Sequence, residues 1–287
     1  LVYVNLAVAL VLLALIYGHY RTADTPDEQS SPLLAFSLTA MMALTMPTLF
    51  TIYCGGYTDS TTYLLTFWML VCGARPLVFG LLFLLALLNR ESVLFLVPFF
   101  SLWHYQRLRD PRRFAVSLSS GLGATIVTYF LFRLALNDPT VAQHSTAFYL
   151  EPLLTDPFHG LRQVAAGYPV GLFSAFRFFW LLPMAALVVA LRKHNYLMAL
   201  LVLLPICCAM AQSIIAVDTS RMIALAFPAF LVSALIVRTR IGERPLSAAL
   251  LAFALLSLVM PQYYVTSNEV STMRSSMPAI ARRVSGH

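Results

Sequence analysis

Lysine is nearly missing from this chain. Lys193 is the only one, and charged residues of both signs make up 11% of 287. No ordinary soluble domain keeps so little charge. The four cysteines (Cys54, Cys72, Cys207 and Cys208) form no CxxC and no metal-binding spacing, so no zinc module or thiol redox motif is written here. Cys207 and Cys208 fall mid-helix and read as small apolar filler. Period-2 alternation is absent, which removes an outer-membrane barrel. No strip of alternating basic and aromatic residues occurs, so nucleic acid is not an expected partner. There is no low-complexity tract, linker or internal repeat, and a single transmembrane domain over 1–287 is the simplest organisation. No basic segment or small-residue cleavage site flanks the first apolar run, so it reads as a spanning helix and not a signal peptide. The chain opens on that run at Leu1, and the reading expects further sequence upstream.

What is present is apolar: 60% of residues. The expected class is an all-α, polytopic integral membrane protein. Helices are expected at 1–19, 34–53, 61–74, 76–89, 92–106, 114–136, 170–191, 196–215, 222–238 and 246–260, about ten spans. The net charge of +7 rests almost wholly on arginine. RLRDPRR (107–113), RKH (192–194) and RTRIGER (238–244) are basic loops, and the helix count puts all three on one side, the cytoplasm by the positive-inside rule. RTADTPDEQSSP (21–32) falls on that side too, although it carries more acid than base. The opposite face then holds 54–60, 89–92, 137–169, 216–221 and the tail from Pro261. The 137–169 loop is broken by Pro139, Pro152, Pro157 and Pro169, with a surface-lying amphipathic helix expected near 156–168.

The organising stretch is Cys54–Phe100. Two apolar runs of 14 residues, 61–74 and 76–89, are split by Arg75-Pro76 and flanked by polar clusters. A 14-residue helix is ~21 Å long, short of a ~30 Å hydrocarbon core. Such a hairpin returns to the face it left, bringing Asp59 near Arg90 and Glu91. The acids and bases of that face are Asp59, Arg90, Glu91, His144, Glu151, Asp156, His159, Asp218 and Arg221.

Each has a plain reading as solvated loop. Arg90-Glu91 reads either as a tight turn whose ions pair, or as an anion site in which the guanidinium fork grips a phosphate and Glu91 orients it or acts as base. Asp59 reads as a helix cap, or, with Ser60 free to cap, as a ligand for a hydroxyl, a metal or Arg90. Asp218 and Arg221 lie one helical turn apart. Asp218 or Thr219 suits a cap, whereas Arg221 opens its helix at the end the dipole disfavours for a cation. Arg177 lies about seven residues inside its span, ~10 Å deep; it snorkels to the interface or pairs inside the bundle. Arg133 reads as a snorkeler, and His19 and His104 as interfacial. No metal spacing exists, and a divalent ion held by acids is left open as the only cofactor.

The hairpin, GGYTDSTTYLLTFWMLVCGARPLVFGLLFLLALLNRESVLFLVPFF, resembles the multispanning bacterial glycosyltransferases of the GT-C superfamily: a Tyr-x-Asp motif, a short helix, an Arg-bearing turn, a second short helix, then Asn-Arg-Glu-Ser. VDTSRMIALAFPAFL is similar to the Asp-x-x-Arg that opens a late helix in such proteins. Together these cover about a fifth of the chain. The resemblance implies sugar transfer from a polyprenyl-phosphate carrier on the extracytoplasmic face of a bacterial inner membrane, to a glycan, lipid or protein acceptor. It assigns Arg90, Arg221 and Arg177 to the donor phosphate, Asp59 and Glu91 to catalysis, and Tyr57, Asn89 and Asp218 to support. Such enzymes keep their catalytic acid in the first outer loop; here that loop is 54–60, so either Asp59 serves or the acid lies upstream of Leu1. The competing readings are a non-catalytic membrane subunit or scaffold, and a lipid or anion transporter or flippase.

Overall fold

The computed structural model describes residues 2–22, 30–53, 59–72, 75–108, 122–135, 154–156, 158–216, 218–266 and 269–273. It is overwhelmingly helical. Four helices are long and apolar enough to cross a bilayer: Tyr3–Thr22, Tyr168–Arg192, Tyr196–Ile215 and Thr219–Ile241. A fifth forms if the bent pair Pro32–Ala43 and Met46–Ile52 counts as one span. Apolar side chains also stand exposed along the outside, Leu77 at 85% and Val259 at 86% among them. Such surface belongs in lipid, and the chain is a membrane protein.

In chain order the helices are α1 (Val2–Thr22), α2 (Pro32–Ala43), α3 (Met46–Tyr53), α4 (Asp59–Val71), α5 (Pro76–Asn89), α6 (Val97–Leu108), α7 (Ala124–Ala135), α8 (His159–Val164), α9 (Tyr168–Phe176), α10 (Leu181–Arg192), α11 (Tyr196–Ala216), α12 (Thr219–Ile223), α13 (Phe227–Ile241) and α14 (Glu243–Val259). The other expected spans are short: 13 residues for α4, 14 for α5, 12 each for α6 and α7, and 17 for α14.

Proline sets the boundaries. Pro76 starts α5 at a position where its missing N–H costs nothing. Ser31 caps α2 by accepting from the Leu34 amide, with Pro32 next. The expected single span 34–53 is bent by 54°, and the bend falls just before Pro47. Short 3₁₀ segments at Glu91–Leu96, Arg177–Trp180 and Ala224–Ala226 precede α6, α10 and α13. A proline follows within each next first turn: Pro98, Pro183 and Pro228. Three broken helices therefore carry Arg90, Arg177 and Arg221 beside their breaks.

The Thr219–Ile241 helix is the axis of the bundle. In its most apolar 18-residue stretch 83% of residues are buried, against 28% to 44% in the matching stretches of the other three long helices. Phe230 stacks on Phe176 at 3.8 Å between ring centroids, and Trp180 closes edge-on at 5.1 Å. At its far end Arg238 meets Glu243 at 3.5 Å and donates to Ser30 at 3.0 Å, while the Ser31 amide donates to Glu243 at 2.9 Å. These contacts tie α2, α13 and α14 together.

The tail from Pro261, to which the sequence reading assigns no element, carries a strand pair. Residues Tyr263–Thr266 (β1) and Glu269–Thr272 (β2) pair antiparallel, Tyr264 opposite Ser271. Gln262 donates to the Ser174 carbonyl at 2.9 Å and the Val265 amide donates to Ser220 at 2.9 Å, which fixes this hairpin on α9 and α12. Gly171 makes the fit possible: a Cβ there would lie 2.7 Å from Thr219 and 3.1 Å from Val265. Of the surface helix expected near 156–168, the structure shows α8, six residues long, with its glycine Gly160 tight against the Ile214 carbonyl.

Candidate functional site

The α4–α5 hairpin forms as a pair of packed short rods, and Asp59 and Arg90 meet at its open end. Asp59 opens α4, and Arg90 follows α5 in an extended conformation at φ −160°. Extension turns the Arg90 side chain off the helix and inward, where its Nη1 pairs with Asp59 Oδ1. Its other terminal nitrogen reaches the Met222 thioether at 3.2 Å. At the same end Asn89 donates to Thr62 at 2.7 Å, clamping the last turn of α5 to the first turns of α4.

The second half of the cluster comes from the bundle axis. Asp218 holds the cap position of α12, but its side chain makes no capping hydrogen bond. It is drawn instead to Arg221 Nε at 3.0 Å and receives the Tyr264 phenol at 3.1 Å. Arg221 also stands 3.6 Å from Asp59 Oδ2 and lies over the Phe50 ring at 5.6 Å. The backbone carbonyl of Arg221 accepts from the Tyr63 phenol at 3.5 Å. One chain of ions results: Arg90, Asp59, Arg221, Asp218. Its side chains are 13%, 5%, 17% and 9% exposed.

Two guanidiniums and two carboxylates sum to zero. Burying isolated charges here would be prohibitive, so each must face its opposite. Burial, with Arg221 alongside, lowers the Arg90 guanidinium to about 9, and it stays protonated at neutral pH. Burial pushes the Asp218 carboxyl up from its ordinary range, opposed by Arg221, Arg90 and the Tyr264 hydrogen bond. Satisfaction is incomplete: among the described residues Asp59 Oδ2 is buried with no donor at hydrogen-bond distance, and only the long ion pair to Arg221 Nε reaches it, at 3.6 Å. A buried acceptor held at that length still has room for a hydrogen bond.

No protein-family model, curated protein or solved structure matches this chain. The site is therefore read from its own residues.

The other residues singled out in sequence lie as follows. Glu91 accepts from the Tyr129 phenol of α7 at 2.5 Å, and Asn89 binds Thr62. Arg177 does not reach the surface. It is 5% exposed, sits at φ 52° in the left-handed region at the end of α9, and donates to the Ser257 carbonyl of α14. That bond holds a non-glycine residue in a costly backbone conformation, so Arg177 locks the α9–α10 break to α14. Asp156 pairs with Arg162 on an exposed surface. Tyr57, His144 and Glu151 lie outside the described residues. Among the described residues no three His, Cys, Asp or Glu side chains come together as metal ligands.

Sequence reasoning missed Tyr264, Phe50, Tyr63 and Met222. Tyr264 had a signal: YYVT and EVST are β-branched and aromatic runs either side of Ser267-Asn268, a hairpin pattern. Tyr264→Phe removes the phenol that steadies Asp218 and is expected to cost about 1 kcal/mol, read as a lowered melting temperature in detergent. An unchanged melting temperature removes Tyr264 from the network.

Proposed function

We propose that this chain is a membrane glycosyltransferase of the GT-C kind, which transfers a sugar from a polyprenyl-phosphate carrier. The observation that carries the reading is the convergence of Asp59, Arg90, Asp218 and Arg221 at one end of the bundle, from positions up to 162 residues apart in the sequence. On this reading the short helices α4, α5, α6, α7 and α14 also cross the bilayer, giving about ten spans in one domain. The membrane is the bacterial inner membrane and the ion cluster faces the periplasm, because the arginine-rich loops lie at the other end.

The chemistry follows from charge. In the donor a phosphate bridges sugar and prenol and carries one negative charge. As the bond from the anomeric carbon to the phosphate oxygen breaks, that phosphate gains a second. Arg90 and Arg221 stabilise the developing charge, which requires Arg90 to turn from Asp59. The acceptor hydroxyl forms the new bond to the anomeric carbon and gives its proton to Asp59, at the Oδ2 that makes only the long contact to Arg221. Asp218 and Tyr264 hold Arg221. Glu91, Asn89 and Arg177 support the frame around this exchange.

One observation favours the non-catalytic subunit: both arginines already face carboxylates, and the cluster is largely closed. Reconstituted protein supplied with radiolabelled polyprenyl-phosphate sugars and membrane extract as acceptor decides between them. Turnover with release of polyprenyl phosphate, lost in Arg221→Gln, is expected. A folded wild-type protein that neither binds nor consumes any such donor is the scaffold.

A further inference from the structure

The other end of the bundle holds a second feature. Arg90 and Arg107 are 17 positions apart, and so are Arg221 and Arg238. Seventeen helical residues rise roughly 25 Å, close to one hydrocarbon thickness. A cavity of about 570 Å³ opens there between α6, the α10–α11 turn and α13. That volume is within the range of small-molecule sites. Among the described residues three cations line it: Arg107 in the last turn of α6, Lys193 just after α10, and Arg238 in the last turn of α13. Glu243 offsets one of them through Arg238.

The plain account of these cations is that each complements a helix C-terminus. That explains their sequence positions but not the hollow between them, nor its composition. Arg107 is held over the Trp103 ring at 5.0 Å, and the Trp103 indole is fixed by donating to the Leu70 carbonyl at 3.1 Å. Val232 and Leu235 supply an apolar wall running toward the bundle interior. The Gln106 side-chain oxygen at the rim is buried without a hydrogen-bond partner among the described residues. Leu191 and Tyr196, on either side of the Lys193 turn, are 51% and 62% exposed. An aromatic and an aliphatic side chain left out there belong at a membrane interface, which puts the turn carrying Lys193 at the lipid boundary.

We propose that this cavity binds the phosphate headgroup of an anionic membrane lipid. Lys193, Arg107 and Arg238 surround the phosphate, and an acyl or prenyl chain lies along the Val232–Leu235 wall. Basic hollows between spanning helices take such headgroups because charge and apolar contact act together. A soluble phosphate would use only the first.

The test uses the full chain in detergent, delipidated and then titrated with phosphatidylglycerol, phosphatidic acid, phosphatidylcholine or inorganic phosphate. Melting temperature and native mass spectrometry are the readouts. One tightly held anionic lipid per protein is expected, with a raised melting temperature. Each cation near an anionic headgroup contributes a factor of about five, so Arg107→Gln with Lys193→Gln should weaken binding by about thirtyfold. Lys193→Gln alone, at an exposed turn, keeps the test valid if the pair fails to fold, with about fivefold expected. Equal retention of phosphatidylcholine, unchanged binding in the folded variants, or the same stabilisation from inorganic phosphate alone would each overturn the proposal.

Discussion

Arg90→Ala is expected to lower sugar transfer by at least about a hundredfold, the usual loss when one preorganised donor to a developing oxyanion is removed. The loss should be large because Arg90 sits where the hairpin delivers it, and its fork of donors faces the site. Among the described residues the same change leaves Asp59 with Arg221, 3.6 Å away, as its ion partner. Removing one partner of a buried pair typically costs 3–5 kcal/mol, so a dead enzyme could simply be an unfolded one. Two further variants separate the causes. Arg90→Lys keeps the charge but not the planar fork, so it should fold well and recover only part of the rate. The double change Asp59→Asn with Arg90→Gln keeps the site neutral, so its melting temperature should return toward wild type while transfer stays absent. Transfer within twofold of wild type in folded Arg90→Ala would remove the donor-phosphate role.

The hairpin was legible because its information is local. Two runs of equal length with a proline between them can only return the chain to the face it left, and polar residues at both outer ends mark that face. The helical class followed from composition, and the start of α5 from Pro76, whereas the Ser31-Pro32 start of α2 lies two residues before the expected 34. The one-turn spacing of Asp218 and Arg221 also predicted their contact. Joining the two halves was harder. Asp59 to Arg221 spans 162 positions, and only the shared face, inferred by counting helices, linked them. The bend at Pro47 and the 3₁₀ breaks escaped because apolar periodicity reads through a short break. Arg177 shows the same limit. Its depth was legible, but its partner is the Ser257 backbone carbonyl, and a backbone acceptor has no sequence signature. The tail hairpin is only four residues per strand and would be marginal alone. Docking on α9 and α12 sustains it, and that docking is tertiary.

Asp59→Asn divides the catalytic from the scaffold reading most cleanly, because it should move binding and rate in opposite directions. Asparagine has the same shape, so the Arg90 contact persists in weaker form. Loss of the carboxylate removes the proposed base, and kcat should fall by about 10²–10⁴. It also removes the anion that competes with donor phosphate for both arginines. The cluster then carries two guanidiniums and one carboxylate, and a charge of that sign awaits an anion. The donor should therefore bind severalfold more tightly than to wild type, even as turnover collapses. The unliganded variant should melt lower, because an unpaired buried cation is costly, and the donor should restore more stability to it than to wild type by mass action. In a scaffold Asp59 serves only to neutralise Arg90 and Arg221, so the variant would lose stability with no gain in affinity for polyprenyl phosphate. Folded Asp59→Asn protein with weaker donor binding, or with unchanged kcat, would end the assignment of Asp59 as base.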